Sequence, residues 1–358
     1  MRKNLILISS KAITVNTFLD QQIIDLKNNF KLQVCVGDPE NIKIKCNKSK
    51  INFPKNFYSL INIFLIIKCL YQIRVIINSI ENTEIFVHTP LAAHLVRLAL
   101  IFSKKKIIYF VHGFRFHKKT NFFFYILYSS IEILLKYKTK YYFVINKEDK
   151  QFVKKFLKKK FYFINGIGIN LKKKYKKNNN KKVLKIGVIS AYRKNKGYND
   201  LLSIIQNLKN KNIFFECFGY GSKNLYKKKV REMGLEKKIK LNSFKNNIEK
   251  YISTFDLLLH PSFREGLPIS IIQALYQQVP VIGRDIRGVN DLIKDKKYGY
   301  LIKNDFVKKS IIYINFLNNN KYVLKKMEKN ILEMNFKKFS KKLISLKITK
   351  LLKLNCEI

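Results

Sequence analysis

Twice along this chain, short runs rich in Ile, Val, Leu and Phe alternate with longer stretches whose apolar residues recur at helical spacing. A run apolar on both sides is stable only in a sheet covered on both faces, and the helix-length stretches between runs supply that cover. The pattern therefore restricts the chain to an α/β class with parallel sheets. In the first round strands are predicted at Asn4 to Ile8, Leu32 to Val36, Ile85 to His88, Lys106 to Val111, Tyr141 to Ile145 and Phe161 to Ile164. Helices are predicted near Asn16 to Asn28, Tyr58 to Ile80, Leu91 to Phe102, Phe122 to Tyr137 and Lys147 to Phe156. The segment LKKKYKKNNNKK, from Leu171, has almost no apolar content and reads as a linker. A second round follows, with strands at Leu184 to Ser190, Phe214 to Gly219, Ile239 to Leu241, Leu257 to His260 and Val279 to Gly283. A length of 358 residues suits two such lobes better than one core. The expected organisation is a first domain over 1–171, a basic linker over 172–182, a second domain over 183–334, and a helix over 335–358 crossing back to the first.

Charge is the outlying property: 72 Lys and Arg against 23 Asp and Glu give a formal +49, which attracts any polyanion. Lys, Asn, Ile, Phe and Tyr are overused together, as an AT-rich gene dictates, so runs such as Lys227-Lys228-Lys229 and Lys172-Lys173-Lys174 read mainly as solvated faces. No helix-turn-helix, zinc or RNP-like signature accompanies the charge, which argues against specific nucleic-acid recognition. Cys35, Cys46, Cys69, Cys217 and Cys356 are odd in number and scattered, so neither a disulfide framework nor a zinc site is expected. The opening MRKNLILISS reads as a first strand and not as a signal peptide, since its apolar run is short and no small-residue cleavage site follows. Phe57 to Ile80 and Phe122 to Ile145 are apolar, but Lys68 and Arg74 interrupt one and Glu132, Lys136, Lys138 and Lys140 the other, so neither is expected to span a membrane. The cluster Phe122-Phe123-Phe124-Tyr125, preceded by Lys118 and Lys119, has two readings of equal weight: core packing, or insertion into an anionic bilayer interface.

The chemistry concentrates in HPSFREGLPISIIQALYQQVPVIGRDIRGVND, from His260 to Asp291. A strand ends near His260, a polar loop carries Arg264, Glu265 and Gly266, and Pro268 sits where the first turn of a helix is expected. In an open parallel sheet ligands bind at the carboxyl ends of strands, and unpaired amides opening a helix at Leu267 and Pro268 would hold a diphosphate. Glu265 can accept hydrogen bonds from sugar hydroxyls, and Gln273, further along the helix, can meet a ribose. A loop glutamate on its own is usually just solvated; the strand, turn and helix around it give Glu265 its weight.

This stretch resembles the donor site of retaining GT-B glycosyltransferases of family 4, in which two glutamates are separated by seven residues. Here seven residues separate Glu265 from Gln273, so the second acid is an amide. The resemblance implies that Glu265 contacts the donor sugar and Gln273 the ribose diol, with weaker charge assistance than a glutamate gives; on that footing Gln273→Glu is expected to tighten donor binding. Gly219-Tyr220-Gly221 resembles the family's Gly-x-Gly turn, and Arg287-Gly288 with Asp291 its Arg-Gly-x-x-Glu turn. SAYRKNKGYNDLL resembles the loop that gives an Arg and a Lys to the diphosphate, implicating Lys196 and, as nearest substitute for the arginine, Arg193. In the first half the tokens His88-Thr89-Pro90-Leu91-Ala92, Val111-His112-Gly113-Phe114 and Gly166-Ile167-Gly168-Ile169 resemble the acceptor lobe of polysaccharide-assembly members, which implies that His112 lies beside the donor sugar.

The resemblance implies two Rossmann-like domains facing a central cleft. It also implies transfer from a nucleotide-sugar, a UDP-sugar above all, to a lipid-linked acceptor such as an undecaprenyl-diphosphate oligosaccharide, in surface polysaccharide assembly of the O-antigen or capsule type. The expected place of work is the cytoplasmic face of the inner membrane. Such chemistry needs no protein nucleophile, no metal and no cofactor, and no Asp-x-Asp occurs in the chain. A nucleotide-sugar epimerase of the same fold and a basic nucleic-acid-binding protein remain as alternatives. A dehydrogenase fits less well, because SSKAITVN and not a Gly-x-Gly-x-x-Gly turn follows the first strand. His88, His94, His117 and His260 read as structural, with a place facing the acceptor left open for His117.

Overall fold

The computed structural model describes residues 2–54, 63–171, 175 and 183–355. Two compact units account for the chain: residues 1–170 with 338–358, and residues 171–337. The lysine run at 172–174, all of the linker segment except Tyr175, the start of the helix expected from Tyr58, and Cys356 lie outside the described residues.

The first unit holds seven strands: β1 (Asn4–Ile8), β2 (Lys31–Val36), β3 (Asn47–Lys50), β4 (Thr83–His88), β5 (Ile107–Val111), β6 (Thr139–Val144) and β7 (Phe161–Phe163). They pair in the order β3-β2-β1-β4-β5-β6-β7, every pair parallel. Its helices are α1 (Ala12–Phe18), α2 (Asp20–Asn29), α3 (Ile63–Asn78), α4 (Pro90–Ala99), α5 (Phe122–Leu135) and α6 (Lys147–Phe152). The central strands are buried on both faces; Phe86, Phe110 and Phe143 from β4, β5 and β6 meet edge-on or tilted, with centroids 5.8 to 6.4 Å apart. Strand order reverses between β1 and β4, so the loops after those strands diverge and leave a crevice at the carboxyl edge.

The second unit repeats the plan with β8 (Leu184–Ile189), α7 (Tyr198–Asn207), β9 (Ile213–Gly219), α8 (Lys223–Glu232), β10 (Ile239–Ser243), α9 (Ile248–Ile252), β11 (Leu257–His260), α10 (Ile269–Tyr276), β12 (Val281–Arg284), β13 (Gly299–Ile302), α11 (Phe306–Asn319) and α12 (Lys321–Leu332). Its order is β10-β9-β8-β11-β12-β13, again parallel throughout, with the reversal between β8 and β11.

The chain then returns to the first unit. Ser340 caps α13 (Lys341–Leu354) by accepting from the Leu343 amide, and the helix runs along α2, where Lys341 pairs with Asp20. The helix expected from about Asn335 is thus preceded by a short 3-10 turn, Phe336–Phe339. Gly168 makes this return possible. Its φ of +82° is left-handed, and a Cβ there would lie 2.5 Å from the Lys341 Cα. The flanking amides close the seam, Ile169 N–H donating to Phe339 O and Lys341 N–H to Ile169 O.

Three elements depart from expectation. The single helix predicted over Asn16 to Asn28 is two, broken at buried Leu19. β3, Asn47–Lys50, was unforeseen because an exposed edge strand needs no apolar residues. β13 was also missed: it is a short run opening on Gly299, which approaches the Val281 backbone so closely that a Cβ would sit 1.9 Å from its carbonyl oxygen.

One buried ion cluster ties α4 to α5. The Glu132 carboxylate accepts from His94 Nε2 and lies against Arg97 Nη1, each at 2.8 Å, with all three side chains sealed from solvent. Burial alone would raise the Glu132 carboxyl, but Arg97 and His94 outweigh it and hold it down at about 2. A carboxylate held below its ordinary 4.5 favours the folded state above that pH and loses the contribution as pH falls through 4.5 towards 2. Melting temperatures followed by circular dichroism are expected to hold steady down to about pH 5 and then to drop, and Glu132→Gln to flatten that acid limb. At neutral pH the same variant, leaving Arg97 buried beside an uncharged amide, is expected to lose about 3 kcal/mol or more in urea titrations.

Candidate active site at a sheet switch point

The loops after β8 and β11 flank the strand-order reversal of the second unit, and Arg193, Lys196, Glu265, Gly266, Leu267 and Pro268 lie on them. After β8 the chain turns through Lys194–Lys196 and enters α7 at Gly197. Gly197 has φ +76°, and a Cβ would come within 2.2 Å of the Pro261 carbonyl oxygen. Only glycine lets the two loops touch there. Phe263 N–H donates to Asn195 O at 3.1 Å and fixes the register of the touch. As a result Lys196 Nζ reaches Glu265 Oε1 at 2.6 Å.

His260, the last residue of β11, supports the same oxygen from behind, its Nε2 lying 3.2 Å from Oε1. The Glu265 side chain is 13% exposed, and burial alone would raise its pKa. Lys196 and His260 outweigh that effect and hold the carboxyl well below the usual carboxylate range. Both bonds fall on Oε1, which leaves Oε2 to accept from a ligand. Of the three donors on the Lys196 ammonium the carboxylate takes one.

Three neighbours hold the Glu265 loop in place. Arg287 Nε donates to the Glu265 carbonyl at 3.0 Å, and Gly288, φ +76°, packs so closely that a Cβ would meet Gly266 O at 1.9 Å. Arg284, ending β12, donates to Pro261 O at 3.0 Å, pairs with Asp200 of α7, and lies between the rings of Phe263 and Phe306 at 4.2 and 4.1 Å. Gly266, Leu267 and Pro268 then lead into α10, whose cap is Pro268. Pro268 was expected inside the first turn; it stands one step earlier. No side chain caps this helix, and first-turn amides left without a side-chain acceptor suit an anion.

Gly219 and Gly221 act by what they lack. A Cβ on Gly219 would lie 1.9 Å from Ser190 O, and Gly221, φ +104°, pairs with Tyr192. Their turn straps the loop that carries Arg193, which is exposed and stacks over the Tyr220 ring at 5.8 Å. Arg193 shares a turn with Lys196, whose amide donates to the Arg193 carbonyl at 3.0 Å.

Gln273 presents a finding that sequence alone did not reveal. Its Nε2 donates at 2.9 Å to Oε1 of Glu249 on α9. A carboxylate therefore does stand beside position 273, brought from another helix. The expectation that Gln273→Glu simply strengthens the site changes with it, because that substitution sets two carboxylates face to face.

His112 belongs to the first unit. It follows β5, precedes Gly113 with φ +122°, and is half-buried. Its Nε2 lies 2.9 Å from Nδ1 of His88, the buried last residue of β4, so both rings sit on the carboxyl edge of that sheet. Burial pushes the His112 imidazole down to about 4, and burial together with His112 pushes His88 well below its usual value. Both are neutral at pH 7. Sequence reasoning gave His88 and His260 structural roles; each in fact bonds a candidate site residue. Their place as the last residues of strands was the available signal, and it holds for Arg284 too. Nothing in the sequence pointed to Glu249.

Two outcomes follow. Gln273→Glu is expected to lower stability at pH 7 by about 1 kcal/mol in denaturant titrations, and Glu249→Gln in the same chain to restore it. In an NMR titration the His112 ring signals are expected to stay those of a neutral imidazole as pH falls from 7 to about 5, since the folded state resists protonation until near 4.

Known proteins resemble the chain in sequence over the second unit and in fold over nearly its whole length. Residues 170–334 match the family model described as glycosyl transferases group 1. A stretch of 92 residues is 35% identical to the poly(ribitol-phosphate) alpha-N-acetylglucosaminyltransferase of Staphylococcus aureus, covering 25% of this chain and 19% of that protein. Another, of 72 residues, is 33% identical to the UDP-Gal:alpha-D-GlcNAc-diphosphoundecaprenol alpha-1,3-galactosyltransferase of Escherichia coli, covering 20% and 19%. The chain thus matches about a fifth of the length of these two curated relatives. Among solved structures, Anabaena Alr3699/HepE in complex with UDP and glucose superposes with a TM-score of 0.74 over 98% of this chain and 100% of that one, at 14% identity. The second unit accordingly carries the glycosyl transferases group 1 pattern, and the two doubly wound units give the chain the GT-B fold.

Proposed function

We propose that this chain is a glycosyltransferase that moves a sugar from a nucleotide-sugar, a UDP-sugar first of all, to a lipid-linked glycan acceptor in the assembly of a cell-surface polymer. The observation that carries the reading is the Lys196–Glu265 pair beside the uncapped start of α10, at the switch point of the second sheet. A diphosphate on the α10 amides competes with Glu265 for the Lys196 ammonium and gains the positive end of the helix. Glu265, kept ionised, then accepts from the hydroxyls of the sugar through Oε2. Gln273 with Glu249 forms an amide and carboxylate set suited to a vicinal diol, the ribose in this reading.

The reaction itself needs charge held where the leaving diphosphate forms. Lys196, Arg193 and the α10 amides supply it without reorganising, and fixed charge of this sort commonly accounts for most of an enzyme's rate enhancement. Neither a resident metal nor a cofactor enters the proposal. Retention of configuration follows if the acceptor hydroxyl attacks from the face the diphosphate leaves and a departing phosphate oxygen takes its proton. His112, with a neutral imidazole, is the first unit's candidate for a sugar hydroxyl. The names of the Escherichia coli and Staphylococcus aureus relatives, a diphosphoundecaprenol and a poly(ribitol-phosphate) acceptor, support a lipid-linked or polymeric acceptor here.

A thermal-shift screen of UDP-, GDP- and ADP-sugars is expected to single out a UDP-sugar, and mass spectrometry of a lipid-linked acceptor incubated with it to show one added hexose unit. An epimerised donor with unmodified acceptor would overturn the proposal. Lys196→Ala and Glu265→Gln are each expected to lower kcat/KM by about 100-fold or more in protein that circular dichroism shows to be folded. Of the two, only Lys196→Ala is expected to weaken free UDP in calorimetry.

A further inference from the structure

Helices α3, α4 and α5 pack side by side against the first sheet, with α4 in the middle and almost wholly buried. Among the described residues, nothing covers the outer faces of the two flanking helices in this way. On α3 the residues Phe64, Ile67, Tyr71 and Val75 recur at helical spacing and face solvent, Phe64 being 73% and Tyr71 69% exposed. On α5 Phe123, Leu127 and Leu134 form a second stripe, flanked by Phe122 and Ile126; Phe122 is 78% and Phe123 69% exposed. Core packing therefore does not account for Phe122, Phe123 and Phe124, although Tyr125 packs on Phe116.

On the helices themselves the exposed charge has one sign, and a carboxylate near the start of α5, Glu148, accepts from the Lys118 amide. The three helices together contain a single carboxylate, Glu132, which is buried and already paired with Arg97 and His94. Lys68 and Arg74 stand on the exposed face of α3. Lys118 and Lys119 precede α5, and Lys136 and Lys138 follow it. At that end the ammoniums of Lys136 and Lys159 both approach the exposed Tyr137 ring, at 5.5 and 5.9 Å. Burial, then the charges of Lys106 and Lys136, lower the Lys159 pKa, which marks a group of like charges with no anion among them.

Exposed aromatic and aliphatic rows bordered by Lys and Arg match an interface that is apolar below and anionic above. A second copy of the chain would bring the same positive charge against itself, and a nucleic acid offers nothing for Ile67, Val75, Ile126 and Leu134 to enter. No described helix is long and apolar enough to cross a bilayer. We propose that the α3 and α5 faces form a docking surface for an anionic lipid bilayer, with the aromatic rows in the headgroup boundary and the flanking lysines on lipid phosphates. This surface stands independently of the sugar-transfer reading.

The chain contains no tryptophan, so Phe123→Trp places a single fluorescent reporter on the surface. With vesicles of phosphatidylglycerol and phosphatidylcholine in equal parts, its emission is expected to shift to the blue and resist aqueous quenchers. In co-sedimentation at about 0.1 M salt, the full chain is expected to bind those vesicles and to bind phosphatidylcholine alone at least about tenfold more weakly. A variant combining Phe64→Gln, Tyr71→Gln, Phe123→Gln and Leu134→Gln is expected to lose binding by at least about tenfold with its melting temperature kept. The proposal is overturned if the wild-type chain stays in the supernatant, if the reporter does not shift, or if the fourfold variant binds as the wild type does, which would assign adhesion to dispersed charge. Self-association in analytical ultracentrifugation that the fourfold variant abolishes, without vesicle binding, would assign the surface to a second copy and overturn it equally.

Discussion

A carboxylate in a nearly closed loop stays ionised only while a cation is held against it, and the second unit is arranged around meeting that condition at Glu265. Lys196 can reach it because Gly197 lets one loop lie on the Pro261 carbonyl, and the loop that carries Glu265 stays put because Arg284, Arg287 and Gly288 grip its backbone. None of those contacts is chemistry in itself. Each fixes a distance, and the 2.6 Å separation of Lys196 and Glu265 is what they produce together. Preorganisation of this kind lets charged groups act on a ligand without first rearranging.

The first unit meets the same problem of buried polar groups in two ways. Glu132 keeps its charge because Arg97 and His94 surround it, whereas His88 and His112 give theirs up. The difference is the surroundings: Arg97 and His94 outweigh the cost of burying the Glu132 carboxylate, whereas burial, joined at His88 by the facing His112 ring, disfavours a charged imidazole. The triad fastens two helices to one another. The histidine pair sits where strands end, and there a neutral ring can donate or accept according to what binds.

Much of this was legible in the sequence, and the rest was hidden for reasons that can be named. β1 and β11 were readable to the residue because their apolar runs end abruptly at polar loops. β3 was not, since an edge strand exposed to water carries no apolar signature, and the break at Leu19 was not, since both helices continue the same amphipathic rhythm. The loop of Glu265 was legible through its glycines and proline, which restrict backbone shape and so leave a mark in sequence. Side-chain partnerships leave no such mark. The bond from Gln273 to Glu249 joins residues on different helices, and neither type at either position announces the other. Phe122 to Phe124 were ambiguous for a related reason: composition shows that a face is apolar, but only the packed helix layer shows whether anything lies on it.

The return of α13 to the first unit, seated on Gly168 and Ile169, makes the second unit an insertion within the first. A ribosome therefore finishes the inner body before it has delivered the last piece of the outer one. During synthesis residues 1–170 must wait with the flank of α2 uncovered while the next hundred and more residues emerge and fold, and the seam is closed only when Lys341 and its neighbours arrive. Completion of the first body thereby depends on synthesis having run through the whole of the second.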